Sequence, residues 1–127
     1  MRVDEFNVIV ESRIEKTRNL LIKKGVEYAG DGDRLYNFKR AAEILRTTPE
    51  LALWGMFCKH LVSVIDMVEG RHQVTDKMID EKIGDMITYL HILEAYFKEK
   101  KLCNRNLTSG LKRLSSELKM PNKNAVR

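Results

Sequence analysis

Two stretches of this chain repeat apolar residues in the same alternating rhythm. Leu51, Trp54, Cys58, Leu61, Ile65 and Val68 are spaced three, four, three, four and three apart. Ile79, Ile83, Met86, Leu90, Leu93 and Phe97 follow at steps of four and three. Such spacing places each set along one side of an α-helix, as a heptad seam. Thr47-Thr48-Pro49-Glu50 opens the first helix with an N-cap threonine, a proline at the first helical position and an acid in the first turn. Gly70 ends it, and Thr75-Asp76 opens the second. A turn of about six residues joins two seams of matching length, and short connections make antiparallel neighbours. The spacing therefore predicts an α-hairpin.

The flanking sequence adds helices. Phe6, Val10, Ile14, Thr17 and Leu21 form a stripe between about Asp4 and Lys24, with Gly25 as the expected C-cap. A short helix is predicted from Tyr36 to Leu45, with Phe38, Ala41, Ala42 and Leu45 on its buried side. Lys98–Lys101 is the expected end of the second long helix. Asn104–Thr108 reads as a linker, Leu107, Leu111, Leu114 and Leu118 as a final amphipathic helix, and Met120–Arg127 as a frayed end. No segment alternates as a strand would. The expected fold is an all-α bundle with a central antiparallel hairpin of two long helices, completed by oligomerisation, because one hairpin and one further helix cannot cover both seams.

At 127 residues the chain has room for one core. Residues 1–100 form the expected core domain, and residues 101–127 a basic helix and tail. The formal charge of +5 is unevenly placed: residues 101–127 carry seven bases and one acid, while residues 1–100 carry sixteen bases and seventeen acids. The basicity belongs to the tail, so nucleic acid is expected to bind only weakly and only there. No apolar run is expected to approach the roughly 18 residues of a membrane span, and the acids Asp4 and Glu5 do not suit a signal peptide. Cys58 and Cys103 are too few for a disulfide framework. A cytoplasmic protein with no membrane partner is expected.

The residues able to carry chemistry are few. Glu81 and Asp85, one helical turn apart, form a carboxylate pair suited to a hard cation such as Mg²⁺, or to an ordinary charged flank with Lys77 and Lys82. Lys59, Ser63 and Asp66 line a stripe able to face that pair across the hairpin. The loop Tyr28–Arg34, followed by Asn37, Lys39 and Arg40, offers amides, an aromatic ring and cations, a combination able to hold a nucleotide. It lacks the Gly-x-x-x-x-Gly-Lys-Ser/Thr pattern of a P-loop. His60, His72 and His91 show no zinc-like spacing and read as ordinary satisfied histidines.

One order of features is shared with known proteins: a helix ending in Lys24, the Tyr28-Ala29-Gly30 loop, Asn37-Phe38, a long helix with a central Lys59, then Glu81-x-x-x-Asp85-x-x-x-Tyr89-Leu90. It resembles small bacteriophage nucleotide-modification-associated proteins, which are similar to the MazG-type all-α nucleoside-triphosphate pyrophosphatases. The resemblance covers about residues 10–97, and its sharpest piece is Glu81–Leu90 with the Gly84-Asp85 dipeptide. It implies a homodimer or tetramer in a host cytoplasm, with a nucleotide held between helices and hydrolysed with Mg²⁺. Asp66, Glu81 and Asp85 would hold the metal, with Glu81 and Asp85 catalytic. Lys24, Tyr28, Arg34, Asn37, Lys59 and Tyr89 would bind substrate. The enzymes carry a Glu-x-x-Glu pair on the preceding helix, where this chain has Lys59-His60. That departure leaves a second expectation open: a pocket that binds a nucleotide without turning it over, to sequester or sense a signal or to assist DNA-base modification.

Overall fold

The computed structural model describes residues 1–27, 29 and 32–118, without the side chains of Lys24, Val26, Glu117 and Leu118. The fold is all-α, and no strand forms among the described residues. Helix α1 spans Val3–Glu27, α2 Tyr36–Leu45 and α3 Pro49–Val68. A single turn, α4 (Asp76–Met78), runs through a π-helical turn (Ile79–Ile83) into α5, Gly84–Leu118. The chain divides into two units, residues 1–94 and 95–127.

Local chemistry sets most of these boundaries. Thr48 takes the N-cap position of α3 in an extended conformation, without a side-chain capping bond, and Pro49 takes the first helical position, as the sequence predicts. The Thr75 hydroxyl accepts the Met78 N–H at 3.2 Å, which starts α4. Asp33 organises the approach to α2. Its Oδ1 accepts the Leu35 N–H and its Oδ2 the Lys39 ammonium, each at 2.9 Å. The Lys39 ammonium, then the Leu35 amide, hold the Asp33 carboxyl below its ordinary pKa. Helix α2 ends on Arg46 in the left-handed region (φ 50°), with the Thr47 N–H reaching back to the Ala42 carbonyl at 2.9 Å.

Three predicted boundaries are overturned. Gly25 lies inside α1 instead of capping it, because the helix continues to Glu27. Helix α5 does not stop at Lys98–Lys101, and Asn104–Thr108 is helical instead of a linker. Nothing in Lys98-Glu99-Lys100-Lys101 breaks a helix: lysine and glutamate are good formers, and no proline or C-cap glycine follows. The stretch from Met120 lies outside the described residues.

The buried apolar residues are Leu35, Ala42, Ala52, Leu53, Phe57 and Ile92, and Leu53 is the one large side chain fully enclosed among the described residues. They come from the loop, α2, α3 and α5, and α2 lies close against α3. This core does not use the predicted seams. On α3 the inward residues are Ala52, Leu53, Phe57 and His60, whereas the seam residues Leu51, Trp54, Ile65 and Val68 are exposed. On α5 Gly84 and Ile92 are buried while Leu90 and Phe97 are exposed. On α2 Ala42 is buried, but Leu45 is exposed. A heptad seam marks an apolar face without saying what covers it, and here the face adjacent to each seam meets the neighbouring elements. Helix α3 is, by length and composition, apolar enough to cross a membrane (mean hydropathy 1.5), and 28% of that window is buried. The expectation that no run approaches such a length is corrected for this helix.

Helix α1 is tied to the π turn by charge. The Arg13 guanidinium donates to Asp80 Oδ1 at 2.7 Å and to the Asp80 carbonyl at 3.3 Å, and Lys16 Nζ lies 2.8 Å from Asp80 Oδ2. A π turn disrupts the regular i to i+4 ladder, and here a guanidinium takes up one of its carbonyls. Gly84, just beyond the turn, makes room for that guanidinium: a Cβ at Gly84 would stand 2.5 Å from Arg13 Nη1.

Two outcomes follow. Gly→Ala inside a helix ordinarily stabilises by about 0.5–1 kcal/mol. Gly55→Ala in α3, with open space around it, is expected to raise the melting temperature. Gly84→Ala should raise it less or not at all, because the Arg13 guanidinium tip must move aside and loosen its hold on Asp80. Thermal melts of the two variants check the difference. The Lys16 ammonium, with Arg13 behind it, depresses the Asp80 carboxyl below its ordinary value of 3.8. A depressed carboxyl stabilises the fold above its unfolded pKa, and that contribution is lost as pH falls through the folded value. The stability difference between the native chain and Asp80→Asn should therefore be present at pH 7 and shrink below about pH 4, as followed by denaturant titration.

Candidate functional site

Residues 85, 88, 89 and 92 follow helical spacing, so Asp85, Thr88, Tyr89 and Ile92 share one stripe of α5. That stripe forms one wall of a cleft of about 350 Å³, closed by Leu20 of α1, Arg34 of the loop, Asn37 and Phe38 of α2, and Met56 of α3. Its size falls in the range of small-molecule sites. The Phe38 and Tyr89 rings meet edge to face, 6.4 Å between centroids. The polar groups are one carboxylate, one guanidinium, one carboxamide and two hydroxyls. The Thr88 hydroxyl donates to the Gly84 carbonyl at 2.9 Å, so it braces its own helix.

Behind this wall lies His60, buried to 6% exposure. Its Nδ1 stands 3.2 Å from Asp85 Oδ2, yet the approach is too poorly aligned for a hydrogen bond. Its ring lies 5.2 Å from the Tyr89 ring. The expectation of an ordinary satisfied histidine is corrected: His60 is a buried polar group that backs both Asp85 and Tyr89. Beside the cleft, and sharing Leu20, Asp85 and Thr88 with it, is a smaller hollow of about 220 Å³ bounded by Arg13, Lys16, Thr17, Asp80 and Gly84. The Thr17 hydroxyl is buried there without a hydrogen-bond partner.

Four of the expected site residues meet in the cleft: Arg34, Asn37, Asp85 and Tyr89. The others do not join them. Lys59 is exposed and outside the cleft. Glu81 turns to Lys82, 2.7 Å away, and that ammonium holds its carboxyl below the ordinary pKa. Asp66 lies 3.3 Å from Arg71. Tyr28 and the Lys24 side chain lie outside the described residues.

The three carboxylates expected to hold Mg²⁺ are therefore not gathered. Among the described residues, no group of three or more His, Cys, Asp or Glu side chains is placed to hold a metal ion. The residues as arranged do not fit a carboxylate metal cluster. A partner cation has claimed each of Glu81 and Asp66, and only Asp85 reaches the cleft. Sequence reasoning missed Thr88, Phe38 and His60 as parts of this region. The spacing of Thr88 from Asp85 was a usable signal for the first; His60 carried none, since a lone histidine on an apolar helix is ordinary.

Comparison with protein-family models, curated proteins and solved structures finds no match to this chain.

If the cleft is a binding site, Asp85→Asn should weaken ligand binding about tenfold or more, or about 1.4 kcal/mol. Its melting temperature should change little, because the carboxylate has no well-aligned hydrogen bond to His60. Lys59→Ala and Glu81→Gln, outside the cleft, should leave affinity unchanged. Isothermal titration with parallel melts of the three variants checks this.

Proposed function

We propose that this chain binds a nucleotide or a nucleotide-derived phosphate compound in the cleft between the loop, α2 and α5. What supports the reading most is the set of groups that the cleft brings together. Phe38 and Tyr89 offer an aromatic wall for a flat base. Asn37 can both donate and accept along a base edge, and Asp85 accepts from ring N–H or amino groups. Arg34 in the lining suits a phosphate, whose oxygens match its planar fork. Helical order and the Gly84-Asp85 dipeptide agree with the resemblance to MazG-like proteins.

Binding without turnover is preferred to Mg²⁺-dependent hydrolysis, because Asp85 stands without Glu81 and Asp66. On this reading the protein sequesters, senses or hands on a nucleotide in the cytoplasm. Hydrolysis remains the second reading, favoured by Asp85 itself, which lies in the acidic motif and lines the cleft. A panel of nucleoside mono-, di- and triphosphates, with and without Mg²⁺, decides between them. Saturable micromolar binding without product formation is the expected outcome. Mg²⁺-dependent release of pyrophosphate or phosphate would establish the enzyme instead. Absence of binding across the panel would remove the nucleotide class.

We further infer that α3 and α5 form the hairpin around which copies of this chain associate, supported by the His60 approach to Asp85 and Tyr89. The exposed seam of α3, with Leu51 at 57% and Trp54 at 45%, is the natural contact. A lipid environment fits this helix less well, since Lys59 falls at its middle, where a charge is expensive in hydrocarbon. Light scattering at micromolar concentration should give a dimer or tetramer, and Trp54→Glu should shift it toward monomer; a strictly monomeric native chain would count against the inference.

A further inference from the structure

The second unit of the chain is the far half of α5, and its leucines have no role in the reading above. Leu107, Leu111 and Leu114 are 64%, 67% and 58% exposed. With Asn104 before them and Leu118 after, they step by three, four, three and four. That is a narrow stripe of two positions per seven, the a and d positions of a coiled coil, with Asn104, Leu111 and Leu118 at a and Leu107 and Leu114 at d.

We propose that this segment pairs with the same segment of a second copy as a parallel, in-register two-stranded coiled coil. The charge distribution selects the partner. In this register Arg105, Lys112 and Arg113 take the outer b and c positions, away from the seam. The flanking e and g positions from Cys103 onward hold Cys103, Thr108, Gly110, Ser115 and Glu117, so two copies meet without cation facing cation. The hydroxyls of Thr108 and Ser115 are already turned onto their own helix, to the carbonyls of Asn104 and Lys112, each at 2.9 Å. An acidic partner would be read by the outer cations and would leave the leucines uncovered.

Asn104 sets the direction. In a parallel, in-register pair its carboxamide meets the Asn104 carboxamide of the other copy, and the two can bond to each other. In an antiparallel pair it would face a leucine and stay unsatisfied. Lys100, one position before this seam, is a cation at d and marks where the pairing stops.

The composition of the helix points the same way. Asn104, Asn106, Thr108, Ser109 and Gly110 are all weak helix formers, five within seven residues. A helix so composed and so exposed does not hold itself in water; packing along its apolar stripe is what maintains such helices.

The test uses the full chain with Cys58→Ser and Cys103→Ser, so that an introduced cysteine is the only thiol. Leu107→Cys and Leu114→Cys place it on the seam, and Ser109→Cys on the outer face. Melting temperatures close to that of the parent confirm intact cores. Under mild oxidation the seam variants should each form linked dimers at least tenfold faster than Ser109→Cys. Amide exchange over residues 107–116 should slow as protein concentration rises. Equal cross-linking rates for the seam and outer positions would overturn the proposal. So would linkage that forms only when Leu107→Cys is mixed with Leu111→Cys in the same background, since an antiparallel pair sets a against d. Protection that appears only with anionic vesicles, on a monomeric chain, would assign the stripe to a membrane surface and overturn it too. The α3 contact is judged separately: a truncation ending at residue 103 that still dimerises keeps that contact, whatever the cross-linking gives.

Discussion

Asp80 is the point at which the first unit is fastened. Its carboxylate accepts from Lys16 and Arg13, and its backbone carbonyl accepts from Arg13 as well. Each of these bonds is half in water, and an exposed ion pair contributes little free energy. What they supply is position. They fix α1 against the π turn, so that Thr17 and Leu20 of α1 stand beside Asp85 and Thr88 of α5. Gly84 is part of the same device, since the guanidinium occupies the space a side chain would need. The Gly-Asp pair thus has two separate tasks: the glycine admits the fastening, and the aspartate faces the cleft.

The π turn affects the acids around it differently. Asp80, inside it, is committed to α1, and Glu81 is committed to its neighbour Lys82. Asp85, one residue beyond Gly84, keeps its carboxylate for the cleft, with a buried histidine behind it. A carboxylate backed by a buried imidazole, beside two aromatic rings and a guanidinium, is the set of groups on which the proposed nucleotide reading rests. It does not by itself suit the holding of a divalent ion, which needs several oxygens at once.

The apolar faces carry a second theme. Among the described residues six make up the enclosed apolar core, while Leu51, Trp54, Ile65 and Leu90 stay in contact with water. Hydrophobic burial is the main favourable term in folding. The seam of α3 and the leucine stripe of α5 are the apolar faces on which the proposed associations rest.

The all-α class was legible in the sequence because heptad spacing, caps and the lack of alternation all agree, and each is a local property. The starts of α3 and α4 were legible for the same reason, through Pro49 and the Thr75 cap. The stripe of Asp85 and Tyr89 was legible from helical spacing alone. Spacing could not tell which side of each helix would be covered, because an apolar seam is equally suited to its own core and to another copy. Nor could it choose between the site role and the charged flank. Lys59, Asp66 and Glu81 were natural site residues by type, yet Glu81 meets Lys82, one of the flank partners that the sequence offered, Asp66 meets Arg71, and Lys59 faces water. The sequence by itself determined helices, their starts and the candidate chemistry. The tertiary structure decided which faces are buried and that Asp85 alone of the three acids reaches the cleft. Those two outcomes depend on packing between residues far apart in the chain, and local pattern does not contain them.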